Sequence, residues 1–126
     1  MAALSSYEAN RLLESSLRTG TVYLALFTTN PTWKGTGTEC SGGGYARQII
    51  TFAASAEVGA ARRVATNAAV EYGTMSADIG TVTHWGIYSA LTGGNLLWYG
   101  PFTKSKAIDA GDAIEVAAGE IKLELS

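Results

Sequence analysis

From Thr21 to the end of the chain, apolar residues come in short segments with a period of two, and glycine-rich or aspartate-rich turns separate them. A helix needs apolar residues three and four apart, whereas a period of two aligns them on one face of a strand. Val22-Tyr23-Leu24-Ala25-Leu26-Phe27 is apolar on both alternations, which predicts a central strand covered on both faces, with a helix able to cover one of them. The stretches Tyr45 to Phe52, Arg63 to Tyr72, Val82 to Tyr88, Leu96 to Phe102, Lys106 to Ile108, Ala113 to Val116 and Glu120 to Leu125 continue the series. Leu91-Thr92-Gly93-Gly94-Asn95 reads as a hairpin turn and Asp109-Ala110-Gly111-Asp112 as a second turn. Strands at roughly 8–12-residue spacing with turn signals between them argue for two packed antiparallel sheets. Fifteen glycines against two prolines suit short, tight connections. The expected fold is an all-β sandwich, Ig-like or jelly-roll-like, of seven or eight strands.

One segment breaks the period. Ser5-Ser6-Tyr7-Glu8 has the spacing of a capping box, and Ala9, Leu12, Leu13, Ser16 and Leu17 then fall on one stripe, so a helix is expected before Gly20 stops it. About four turns are marginal alone, and Leu13 and Leu17 must be laid on a sheet, either the chain's own or that of a neighbouring copy. The expected organisation is a single domain over residues 1–126, with the helix in 1–20, the sandwich in 21–126 and a glycine-rich loop at 32–44.

Little in the chain carries chemistry. His84 is the single histidine, lies in a strand, and reads as a hydrogen-bonded structural residue. Asp109 and Asp112 flank Ala110-Gly111 as turn formers do, so they do not suggest a metal site. The stretch Gly35 to Gly44 lacks the Gly-Lys-Ser/Thr ending of a phosphate loop and leads into a strand. No catalytic residue, metal ligand or cofactor is therefore expected, and a net charge of -2 with scattered cations gives no nucleic-acid surface. No apolar run approaches a membrane span and the start has no secretory pattern, which implies a soluble chain that folds in a cytoplasm. Cys40 has no partner within its own chain. It is expected to be a reduced loop residue dispensable for folding, or else to bridge two copies.

Trp33 and Lys34 lie in the polar loop, and Trp33 is the aromatic expected to touch another molecule, while Trp85 and Trp98 belong to the core. Gly42, Gly43 and Gly44 would let the backbone pass closely over a neighbouring element or subunit.

The segments Val22 to Thr32, Gly35 to Glu39 and Ser41 to Gln48, then Gly80 to Tyr88, Gly93 to Leu97 and Ala110 to Asp112, resemble a phage structural-protein family often labelled "tail fibre". The likeness runs from Leu12 onward, departing at Trp33-Lys34, where Asp-Ala is common, and at Cys40, where Val is common. The resemblance implies a non-enzymatic virion subunit. Because the sequence has no fibrous repeat or heptads, the expectation is a capsid decoration or cement protein, self-associated as a trimer and bound to the major capsid protein. A tail-fibre or neck-appendage subunit is the alternative, and a module for host carbohydrate a weaker one. The candidate contacts between subunits are Trp33, Lys34, Cys40, Gly42, Gly43, Gly44, Leu13 and Leu17.

Overall fold

A computed structural model describes residues 2–125, and among these the chain is mostly β with one N-terminal helix. It divides into two compact units, each assembled from separated stretches of sequence.

The first unit holds the segment up to Thr21, Ile50–Val70 and the segment from Val116 onward. Helix α1 (Ser6–Leu17) starts at Ser5, whose hydroxyl accepts the Glu8 amide at 3.1 Å. Only that half of the expected capping box forms, because the Glu8 carboxylate turns instead to Arg11, 2.8 Å from its Nε. The expected stop at Gly20 is also corrected: Arg18 is the C-cap, its amide donating to the Glu14 carbonyl, so the helix ends before the glycine is reached. The apolar stripe of α1 packs on β4 (Ala61–Ala65), the middle strand of an antiparallel sheet ordered β3 (Ala56–Val58), β4, β9 (Lys122–Leu125). Ala9, Leu13 and Leu17 are buried there with Val64 and Leu123. Arg62 fastens this unit by donating to Asn10 Oδ1 and to both the carbonyl and hydroxyl of Ser55, at 2.9–3.2 Å.

The second unit, Val22–Ile49 with Glu71–Glu115, is built on a four-stranded sheet ordered β2 (Gln48–Ile50), β1 (Val22–Phe27), β6 (Gly80–Tyr88), β7 (Leu96–Ile108). β1 is interior to that sheet and buried along nearly its whole length, as its doubly apolar pattern predicts. It pairs antiparallel with β6 from Tyr23 opposite Tyr88 to Phe27 opposite His84. A two-stranded sheet of β5 (Val70–Thr74) and β8 (Ala113–Val116) completes the strands.

Four expected strands change. Tyr45 to Phe52 is a strand only over Gln48–Ile50, with Phe52 in an isolated bridge to Thr66. Arg63 to Tyr72 is two strands, because at Thr66 the amide donates to the Ile121 carbonyl and the hydroxyl accepts the Gly119 amide, diverting the chain. Leu96 to Phe102 and Lys106 to Ile108 are one strand, β7, which takes Pro101 in its interior because it is an edge strand and pairs with β6 through an irregularity in register. β3 had no sequence signal, since all three of its residues are exposed and carry no alternation. Trp85 is buried as expected, but Trp98 is only half-buried, on the edge strand.

Candidate functional site

The segment that follows β1 is the most elaborated part of the second unit. Beyond Phe27 the chain turns and runs back along the strand it has just left. The Thr28 amide donates to the Thr38 carbonyl at 3.0 Å, the Cys40 amide to the Leu26 carbonyl at 2.9 Å, and Phe27 bridges Glu39. The 32–44 loop is therefore no free excursion: its first half is the closed tip of a hairpin on β1.

That tip is locked from within. The Gly37 amide donates to the Pro31 carbonyl and the Gly35 amide to the Thr32 carbonyl. Asn30 Oδ1 accepts the Thr32 amide at 2.9 Å, and the hydroxyls of Thr32 and Thr36 are 2.8 Å apart. Gly37 is required by space, since a Cβ there would lie 2.6 Å from the Asn30 carbonyl oxygen and from Pro31 Cα. Thr32 is the one non-glycine residue with a positive φ, +60°, among the described residues. A β-branched side chain is costly in that conformation, so the surrounding bonds hold the turn against strain. At its apex Trp33 is 80% exposed, and the Lys34 ammonium lies 5.6 Å from its ring centroid.

Arg47 anchors the returning limb. Its guanidinium grips the Glu39 carboxylate through Nε (3.0 Å to Oε2) and Nη2 (2.8 Å to Oε1). Its Nη1 donates to the carbonyls of Ala90 and Gly93 at 3.0 and 2.8 Å, and its plane lies 3.8 Å from the Tyr88 ring centroid. Glu39 raises the pKa of Arg47 further, fixing its charge. The Tyr45 hydroxyl donates to Glu39 Oε2 at 2.7 Å and accepts the Leu26 amide at 2.9 Å, while its ring stacks on Tyr72, whose hydroxyl donates to the Leu24 carbonyl. Burial pushes both phenols well above their ordinary range, so they stay neutral donors. Pairing also clips the 89–95 turn to the same group, since Arg47 holds two of its carbonyls.

The candidate residues separate accordingly. Trp33 and Lys34 are presented outward. Gly43 is committed to its own chain: its carbonyl accepts the Ser76 amide, and a Cβ would lie 2.9 Å from the Ala77 carbonyl oxygen. Gly42 and Gly44 are exposed beside it. Cys40 requires a correction. It is only 4% exposed, with its thiol pushed up to about 11 chiefly by burial, so it is a largely covered residue and not an exposed loop thiol. Leu13 and Leu17 are covered by their own chain, at 0% and 2% exposed, which removes them as a ready contact for a partner. His84 Nδ1 lies 2.8 Å from the Thr83 hydroxyl. Asp109 and Asp112 close a turn, with Asp112 Oδ2 accepting the Asp109 amide, and no group of three metal-ligating side chains gathers among the described residues.

Arg47, Tyr45, Tyr72 and Tyr88 escaped the sequence reading. Each looked like an ordinary strand residue, and the one available hint was that Glu39, Tyr45 and Arg47 all fall within the blocks that carried the family likeness.

The chain is β-rich, and its second unit presents one large aromatic side chain on a braced turn. The family model described as "Podophage GP4 fiber I protein gp80" matches residues 3–124, and the chain belongs to that family, a phage fibre-type virion structural family. A search of curated proteins found no match.

Proposed function

We propose that this chain is a non-enzymatic fibre-type appendage subunit of the phage virion, which self-associates as a trimer and joins the particle through other virion proteins. The observation that carries the reading is the Trp33 turn. A large aromatic side chain presented in water on a strained, hydrogen-bonded support is suited to a contact with a partner, because aromatic residues lead the energetics of such contacts. The fibre description of the family favours an appendage over a coat component. The polar clusters favour a scaffold over chemistry, because Glu39, Tyr45 and Arg47 are engaged with one another and with backbone groups. Assembly in the host cytoplasm is part of the same reading.

Capsid decoration, with the major capsid protein as partner, is the second reading. It is favoured by the absence of any fibrous or heptad repeat in the sequence. Immunogold labelling of purified particles separates the two. Gold confined to the tail or neck is expected, an even layer over the capsid would instead select decoration, and the absence of label and of the protein from particles would defeat both.

A further inference from the structure

We infer that copies of this chain join by seating Trp33 of one copy in the cleft that segment 39–47 and the 91–93 turn form on the next. The inference rests on the self-association proposed above and names the surfaces that carry it. The cleft measures about 410 Å³ and is lined by Cys40, Tyr45, Ala46 and Leu91, with Glu39 and Arg47 in its wall. That size falls within the span of roughly 300–1,000 Å³ that accommodates a drug-sized ligand, so an indole enters without enlarging it.

The cleft offers a guest mainly apolar surface. Arg47 has committed bonds to Glu39, Ala90 and Gly93, and the Glu39 carboxylate already accepts from Tyr45 and Arg47, so a small polar ligand would find few free partners. Leu91, half exposed on the rim, needs cover of the same kind as Trp33. Charge points to the same occupant. Lys34 travels with Trp33 and has no acidic partner among the described residues. In the cleft wall the Glu39 carboxylate keeps one acceptor position beyond the three in use.

Both surfaces are rigid before they meet. The knob is fixed by the Thr32 turn and the cleft by the Arg47 clamp, so little ordering entropy is lost on contact. Knob and cleft are different surfaces of one chain, so each copy offers one of each. A closed ring satisfies every pair, which an open contact does not.

Sedimentation of the purified full chain, together with photo-crosslinking, tests the inference. Trp33→Ala and Ala46→Arg, which fills the cleft from an exposed position, should each raise the dissociation constant of the assembly by at least roughly tenfold while leaving the melting temperature of the dissociated chain, compared at concentrations below that constant, within error. If Ala46→Arg fails to fold, Leu91→Arg replaces it. With p-benzoylphenylalanine placed at position 33 and isotope-labelled and unlabelled chains mixed, adducts between chains should map to 39–47 or 91–93. A wild-type chain that sediments as a monomer at micromolar concentration overturns self-association and this inference together. A wild-type trimer indifferent to Trp33→Ala, or adducts mapping outside the cleft, overturns the inference alone.

Discussion

Helix α1 and the Trp33 turn both carry apolar side chains that the sequence offers as contacts for a partner, and they end in opposite states. Leu13 is fully buried by its own unit, while Trp33 is 80% exposed. The difference lies in periodicity. A stripe repeating every three to four residues is addressed to any flat apolar surface, and β4 with its neighbours supplies one within the same chain. A single indole in a run of Thr, Gly and Lys has no such repeat, and here it stands exposed on a turn whose backbone is tied by hydrogen bonds. Apolar residues that recur in phase are buried within the chain, and the one that stands alone on a braced turn is left exposed.

The largest expected effect comes from removing the brace of the exposed region. Arg47→Ala leaves the Glu39 carboxylate without its cation and frees the Ala90 and Gly93 carbonyls, and loss of one partner from a mostly buried pair costs about 3–5 kcal/mol. Urea unfolding should show that loss, and a change below about 1 kcal/mol would mean that the clamp is screened by solvent and holds nothing.

Leu13→Ala probes the other side of the comparison. The side chain is wholly inside the first unit, so truncation should cost about 2–5 kcal/mol and leave the sedimentation of the still-folded chain unchanged. Were the variant as stable as the wild type yet unable to associate, the helix and not the turn would be the surface offered to partners.

Cys40 supplies a smaller effect that depends on pH. Its thiol titrates near 11 in the fold against 9.0 for the ordinary value, because burial disfavours the thiolate. The fold thus prefers the protonated form. Its contribution is complete below pH 9 and is lost as the pH rises through the interval from about 9 to 11, where the unfolded chain ionises first. Thermal melts of the wild type should fall across that window more steeply than those of Cys40→Ala, which at pH 7 should already be less stable by roughly 1 kcal/mol for lost packing. Equal slopes for the two proteins would show that the thiol is hydrated.

The strand pattern was legible because burial on alternate residues leaves a period in the sequence. β8 and most of β9 follow from it directly, whereas β1 was read from a run apolar on both alternations and is buried along nearly its whole length. What could not be read was decided by long-range bonding. Nothing local shows that Thr66 would be diverted by Gly119 and Ile121 and so split a strand, or that an edge position would let β7 run through Pro101. Cys40 was misread because a loop rich in glycine looks exposed, whereas the return of the 32–44 segment along β1 takes that thiol into the core. Trp33 was legible for the opposite reason: its polar surroundings gave it nowhere to be buried locally. The Arg47 network joins residues up to 46 positions apart, and no spacing rule reaches that far.

The smallest expected effect tests whether the Trp33 turn is truly held under strain. At φ +60° Thr32 places a branched Cβ where L residues are disfavoured by roughly 1–2 kcal/mol, while asparagine tolerates the region well. Thr32→Asn should relieve most of that cost and forfeit the exposed bond to the Thr36 hydroxyl, which is worth roughly 0.5 kcal/mol. Strain relief is the larger of the two, so the variant should gain about 0.5–1 kcal/mol and melt about 2–4 °C higher. Thr32→Val keeps the branch and removes the hydroxyl, so it should lose stability by a similar margin. The contrast between these two substitutions is the decisive quantity, because both remove the same hydrogen bond and differ in backbone tolerance. If Asn and Val prove equally destabilising, the turn is held by the hydroxyl pair with little strain, and Trp33 stands on a softer support than its bonding pattern implies.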